Sequence, residues 1–209
     1  MKKTILFLIL IIPVALLAQS WKSKPMAISV FNNATMLPPA SLTATFNQPI
    51  HPGLTAAYEF GWEETPKHKW FQNAGISYMY HRYVYQAILL NTQAGYRWYL
   101  GHFSIEGYLQ AGYMHAFLLT DRAVFQSDGT YKYKKGFGKP QFITGAGVGL
   151  GYNFGDNTRI RRIFLNYDVR LQMPFVKSYV TLLPNGALSL GMQFTLGHYA
   201  SQDDCSEYN

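Results

Sequence analysis

The chain has 209 residues, of which 14% are charged and 16% aromatic, and its formal net charge is +7. Soluble domains carry about 25% charged residues, so an ordinary water-facing surface fits this composition poorly. A single cysteine, Cys205, excludes an intrachain disulfide framework and a thiolate metal cluster.

Residues 1–18 have the three parts of a secretory leader: Lys2 and Lys3, an apolar run over 5–17, and Ala18 at the expected cut. The run is too short to span a bilayer comfortably and Pro13 interrupts it, which favours cleavage over a retained helix. No cysteine lies near the cut, so lipid attachment there is excluded. Without the leader, 16 basic residues face 11 acidic ones. On an exported chain that surplus points to anionic lipid or glycan phosphates rather than to nucleic acid.

Residues 19–39, with Pro25, Pro38 and Pro39, read as a loosely structured periplasmic lead-in. Eight alternating segments follow, at 40–47, 53–63, 69–81, 86–99, 102–118, 140–154, 161–173 and 186–197. The clearest is the seventh. Ile163, Leu165, Tyr167, Val169, Leu171 and Met173 alternate with Phe164, Asn166, Asp168, Arg170 and Gln172. A period of two means a strand with one greasy face and one wet face. Gly, Pro, Asn and Asp punctuate most of the breaks, as turns require. The fold class expected is all-β: an eight-stranded antiparallel transmembrane barrel with up-and-down connections over 40–197. Residues 198–209 are then a periplasmic C-terminal tail.

Loop lengths give a second check. In outer-membrane barrels both termini face the periplasm and periplasmic turns are short. With eight strands the connections at 64–68, 100–101 and 155–160 are periplasmic, and all are short. The two longest, 119–139 and 174–185, fall on the outside.

Alternation alone does not separate a membrane barrel from a soluble one, but the wet face does. In segment six it reads Gln141, Ile143, Gly145, Gly147, Gly149, Gly151 and Asn153. Glycine facing solvent would weaken a strand for no return, whereas inside a narrow barrel it makes room for larger side chains from across the lumen. The inward set of segment eight (Ala187, Ser189, Gly191, Gln193, Thr195) has none of the Lys or Glu that a water-facing sheet carries. Several segments exceed ten residues, which suits a tilted span through hydrocarbon.

The inward charges are Glu59, Arg97, Glu106, Asp168 and Arg170, expected to form a hydrogen-bonded ionic network that fills the lumen. Aromatics near strand ends (Trp62, Trp70, Phe71, Tyr78, Tyr80, Tyr83, Tyr85, Trp98 and Tyr99) suit headgroup girdles, with a carbohydrate platform as the alternative.

Six histidines invite a search for catalysis. His102, Ser104 and Glu106 resemble the equipment of outer-membrane lipid A deacylases, because i and i+2 side chains share a face of a strand. Against this, His102 sits beside a two-residue periplasmic turn, and the register carrying Glu106 points into the lumen rather than to lipid. His51, between prolines, reads as a rigid connection. His81 and His115 lie near outer strand ends, within reach of headgroups, and His68 and His198 near the periplasmic rim. No metal spacing is present and no cofactor is implied. G-A-G-V-G-L-G at 145–151 alternates strictly and opens no helix, so it is not a nucleotide loop.

The loop 119–139 is the best interaction candidate. Arg122, Lys132, Lys134, Lys135 and Lys139 are interleaved with Phe125, Tyr131, Tyr133 and Phe137. Y-K-Y-K at 131–134 predicts a hairpin above the membrane with D-G at 128–129 as its turn. Its cations suit lipid A phosphates, surface glycan or a protein partner.

Taken with the leader, the dyad pattern, the Gly/aromatic usage and the loop parity, residues 40–197 resemble the small eight-stranded outer-membrane barrels of the OmpA/OmpX type, in the form common in Bacteroidota. The chain departs from that pattern by continuing past segment eight as H-Y-A-S-Q-D-D-C-S-E-Y-N, with Phe194 as the candidate assembly aromatic. The resemblance implies the outer membrane of a Gram-negative bacterium, contact with lipopolysaccharide, and either a structural or accessory role, also within a larger complex, or a lipid-modifying enzyme. A small-ligand transport or binding barrel is a lesser alternative.

Overall fold

The computed structural model describes residues 25–36, 43–81, 85–118, 122–125, 129–134, 136–154, 160–175 and 181–195. Its elements are β1 (Pro25–Thr35), α1 (Ala44–Asn47), β2 (Pro52–Glu64), β3 (His68–His81), β4 (Tyr85–Leu100), β5 (Phe103–Leu118), β6 (Arg122–Phe125), β7 (Tyr131–Lys134), β8 (Lys139–Asn153), β9 (Ile160–Met173) and β10 (Leu183–Thr195). Eight of the strands close in the order β1-β10-β9-β8-β5-β4-β3-β2, all antiparallel. The remaining two, β6 and β7, form a separate hairpin with Arg122 opposite Lys134 and Val124 opposite Lys132. Gly129 has φ 82°, the left-handed conformation that a hairpin turn demands.

Seven of the eight expected strands lie within three residues of their places at either end. The first does not. The closing strand is Pro25–Thr35, inside the stretch expected to be a lead-in, and 43–47 within the expected first strand forms a turn and α1. Prolines at 25, 38 and 39 suggested irregular chain, but proline at the first residue of a strand forfeits no essential ladder bond. Both stretches alternate. Only 25–35 pairs with β10 from Pro25↔Thr195 to Thr35↔Asn185 and with β2 from Met26↔Tyr58 to Asn32↔Pro52. Moving the first strand lengthens the first connection to 36–51. Three of the four connections at that end (36–51, 119–138 and 174–182, against 82–84) are now long, and we call it the loop end. The other is the turn end. The last strand stops at Thr195, and the expected tail lies outside the described residues, as do the leader and Lys135.

Polarity is inverted relative to a soluble barrel. Leu54, Ile76, Leu90, Leu109, Val148, Leu150, Leu165 and Leu190 are all exposed on the outer wall. Ser77, Gln110, Gln141, Asn166, Gln172 and Ser189 are buried inside. With its eight strands closed into one sheet and an apolar exterior, this is a transmembrane barrel, whose closure lets neighbouring strands meet each other's backbone polar groups. At the turn end, Trp62, Trp70, Trp98 and Phe103 are exposed, with Tyr96 packed edge-on against both Trp70 and Trp98. Three expected girdle members are not there, and a further one, Tyr83, lies outside the described residues. Phe71 and Tyr85 fall on the inward register and are buried in the lumen. Tyr99 shares the inward register of Arg97 and lines the turn-end mouth of the lumen.

A charge in the middle of the outer wall tests this polarity. Leu165, opposite Leu190, changed to Arg is expected to lower folding free energy in lipid vesicles by about 2–4 kcal/mol. Urea titration of the refolded barrel measures it.

Candidate functional site

The lumen holds the chemistry of this chain, and it has two halves. Toward the turn end lies an ionic cluster. The Arg97 guanidinium donates through Nη2 and Nη1 to the two carboxylate oxygens of Glu59 (2.7 and 3.2 Å) and through Nε to Glu106 Oε2 (2.8 Å). Arg162 Nη1 donates to the same Glu106 oxygen at 2.7 Å. Lys69 Nζ bridges Glu59 and Glu64, each at 3.1 Å. Midway up, Asp168 accepts from the Tyr108 hydroxyl (2.7 Å), Gln110 Nε2 (3.2 Å) and Arg170 Nη2 (2.9 Å).

All five expected network residues are therefore inside, in two bonded groups: Glu59, Arg97 and Glu106 in one, Asp168 and Arg170 in the other. Lys69, Arg162 and Tyr108 complete them and were missed. Register alone would have found Arg162 and Lys69. Arg162 precedes the inward Phe164 by two residues and Lys69 precedes the inward Phe71 by two. Both stand in strands already expected, at 69–81 and 161–173.

Toward the loop end the inward faces carry Phe31, Met79, Tyr85, Ala87, Leu89, Met114, Ala116, Ile143 and Ala187, a buried apolar cluster. A polar chain lies beside it: Asn185 donates to Gln172 (3.1 Å) and Gln172 to Gln141 (2.8 Å). A cation–π contact of Arg170 over Phe31 at 5.3 Å ties the apolar cluster to the Asp168 group, and Arg97 lies over Phe71 at 4.6 Å within the turn-end half. Open space in the lumen includes a cavity of about 50 Å³ among Glu59, Arg97, Tyr108 and Asp168 and one of about 170 Å³ at the turn-end mouth, the latter lined by Lys69, Arg97, Tyr99, Arg161 and Arg162 among others.

The glycine ladder of β8 is the device that fits these groups into so narrow a tube. A β-carbon at Gly147 would come within 2.5 Å of both the Asp168 carboxylate and the Tyr108 ring. One at Gly149 would meet Glu106 and Asn166, and one at Gly151 would meet the Arg162 guanidinium. The room is used by side chains of the flanking strands β5 and β9 rather than from across the lumen, which corrects the sequence-based expectation.

Histidine placement also differs from expectation. His51 is buried at the loop-end mouth and stacks on His81 at 3.7 Å, and His81 stacks in turn on Tyr85 at 5.1 Å. His81 thus points inward rather than to headgroups. His115 faces outward, with Nε2 2.9 Å from the Phe137 carbonyl and Nδ1 2.8 Å from the Tyr113 hydroxyl. A carbonyl only accepts, so Nε2 carries the proton and Tyr113 donates to Nδ1.

The His102, Ser104 and Glu106 set does not assemble as nucleophile, base and orienting acid. His102 Nδ1 lies 3.2 Å from the Asn153 carbonyl, the Ser104 hydroxyl donates to Gly151 O at 3.3 Å, and Glu106 is held by two arginines. Among the expected loop cations, Lys139 is exposed at the start of β8 and Arg122, Lys132 and Lys134 belong to the β6–β7 hairpin.

No protein-family model matches the sequence, and no curated protein does. Solved structures do resemble the fold. The N-terminal barrel of Pseudomonas aeruginosa OprF is 17% identical over 82% of this chain and 98% of that one, with TM-score 0.39. Neisserial surface protein A is 12% identical over 84% and 98%, with TM-score 0.45. The outer-membrane enzyme PagL is 14% identical over 81% and 99%, with TM-score 0.40. The likeness is one of fold.

Removing one partner of the cluster leaves buried charge unpaired. Arg97→Met is expected to cost about 3–5 kcal/mol in vesicle unfolding, and Glu59→Gln added to it, which restores neutrality and leaves Glu106 with Arg162 and Lys69 with Glu64, is expected to recover most of it. Crowding gives a second contrast. Gly149→Val, which collides with Glu106 and Asn166, is expected to cost at least about 1–3 kcal/mol. Gly107→Ala, where nothing lies within 4 Å, is expected to stay within about 0.5 kcal/mol of the parent.

Proposed function

We propose that this chain is an integral outer-membrane barrel with a closed lumen, serving as a structural or accessory protein that meets lipid and partners through its outer wall and loop end. The observation that carries this reading is the filling of the lumen. The charges Glu59, Lys69, Arg97, Glu106, Asp168 and Arg170 are each bonded to a neighbour, and an apolar cluster occupies the other half. A cavity of about 50 Å³ has room for a few water molecules. Eight strands leave an interior just wide enough for side chains, so solute transport is not its work.

The partners follow from what remains outside. The lipid-facing wall meets acyl chains. The cations of the loop hairpin and its flanks (Arg122, Lys132, Lys134, Lys135 and Lys139) suit the phosphates of lipopolysaccharide or an acidic surface of a larger outer-membrane complex. Orientation with both termini in the periplasm puts this loop at the cell surface.

In planar bilayers the purified barrel is expected to give no steady conductance on the order of a nanosiemens, the scale of a water-filled porin-type lumen. Sustained opening at that level overturns the closed-lumen reading. Charge reversal at Lys132, Lys134 and Lys135 to Glu is expected to reduce copurification of lipopolysaccharide or partner in mild detergent. Unchanged recovery removes the loop from that role.

A further inference from the structure

The connection 36–51, unanticipated from sequence, has an unusual seat: its described part packs on the outside of the barrel wall. On β1 the outward register is Met26, Ile28, Val30, Asn32 and Ala34, and on β10 it includes Gly186, Leu188 and Leu190. Ala34 and Met36 are almost fully covered, and Thr45 at α1 is buried with them. A β-carbon at Gly186 would lie 2.9 Å from the Tyr167 hydroxyl, 3.2 Å from the Met36 sulfur and 3.3 Å from Thr45 Oγ1. Glycine there lets the strap lie flat against the seam where the first and last strands meet.

Two polar side chains bind the strap in place. Asn32, an amide on an otherwise greasy face, donates Nδ2–H to the Thr45 carbonyl (3.0 Å) and accepts the His51 N–H (2.8 Å). Gln48 reaches back to Thr35, donating to its carbonyl at 2.7 Å and accepting its N–H at 3.1 Å. The Asn33 N–H donates to the His51 carbonyl, and those of Phe46 and Asn47 donate to the Thr43 carbonyl. Satisfying backbone groups internally is what a segment needs before it enters a lipid environment, since acyl chains offer no hydrogen bonds.

The strap then turns its largest apolar side chains away from the protein. Phe46 is 70% exposed and Ile50 is 71% exposed. Ile50 prolongs the outward line of β2 through Leu54, whose strand partner Val30 is exposed beside it. The patch is thus continuous with the lipid-facing wall rather than an island among solvated loops. We infer that residues 43–51 form an interfacial anchor, in which Phe46 and Ile50 insert into the lipid leaflet at the loop end and the polar bonds of Asn32 and Gln48 keep the strap pressed to the wall. The occupant of this surface is the acyl-chain layer of the surrounding leaflet. Burying two such side chains fastens the first loop to the membrane and shields the β1–β10 seam on its lipid side.

The inference rests on the barrel spanning a bilayer, and one experiment separates the two. In a Cys205→Ser background, single variants Phe46→Cys, Ile50→Cys and Leu54→Cys carry a nitroxide label and are refolded into phosphatidylcholine/phosphatidylglycerol vesicles. Power-saturation EPR compares collisions with oxygen, which partitions into lipid, and with a water-soluble nickel chelate. Positions 46 and 50 are expected to show oxygen accessibility several-fold above nickel accessibility, as at 54. Nickel dominance at 46 and 50 with oxygen dominance at 54 overturns the anchor and leaves the membrane barrel standing. Nickel dominance at all three overturns the membrane reading itself. Labels at 46 and 50 shielded from both agents indicate a protein partner or second copy and overturn the lipid assignment.

Discussion

The constraint on which everything else depends is that hydrocarbon offers no hydrogen bonds. A strand placed in a bilayer must have both edges paired, so an eight-stranded sheet survives there only if its first and last strands meet. The ladder joining Pro25–Thr35 to Leu183–Thr195 is that closure. Once it exists, side-chain direction is no longer free. Alternate residues are committed to lipid or to lumen, and a one-residue slip would carry Glu59, Arg97 and Asp168 out into acyl chains.

Closure creates the second problem, an interior too narrow for water to solvate charge well and too wide to leave empty. The chain solves it by dividing the tube. Near the turn end it carries paired charges, packed into the notches that Gly147, Gly149 and Gly151 leave in β8. Near the loop end, Met79, Leu89, Met114 and Ile143 form an apolar core of the kind found between the sheets of a soluble sandwich. Desolvating the ionic half is costly, and its bonds offset that cost only because each carboxylate meets more than one donor.

The wall was legible from sequence because period-two alternation is a local signal, written residue by residue into Ile163 through Met173. The first strand was not, since 25–35 and 40–47 both alternate and only the long-range match to β10 discriminates between them. Proline biased the reading the wrong way: Pro25 opens a strand rather than breaking one. In the lumen, Glu59, Arg97, Glu106, Asp168 and Arg170 were readable as inward charges because register alone decides that. Their partition into two groups was not readable, because it depends on which strands stand opposite at the same height. Lys69 and Arg162 stand on the same inward registers and were readable by the same rule. Phe71 and Tyr85 show another error, where an aromatic near a strand end was credited to the girdle although its parity pointed it inward.

Why the chain keeps so many charges in a place where apolar side chains would pack is a question of specificity. A lumen of only Leu, Met and Ile would be as content in lipid as in the tube, so a slipped register would cost little. A carboxylate or guanidinium is not interchangeable in that way. The Glu59–Arg97–Glu106–Arg162 chain joins β2, β4, β5 and β9, and Lys69 adds β3. Five of the eight strands are thus held in one register by groups whose exposure to lipid is costly, about 2–4 kcal/mol for an arginine or lysine at the bilayer centre. Apolar packing in the loop-end half can then adjust locally without endangering the pairing of the whole. On this view the ionic cluster contributes little to net stability and much to the choice of a single barrel among those the alternating pattern permits.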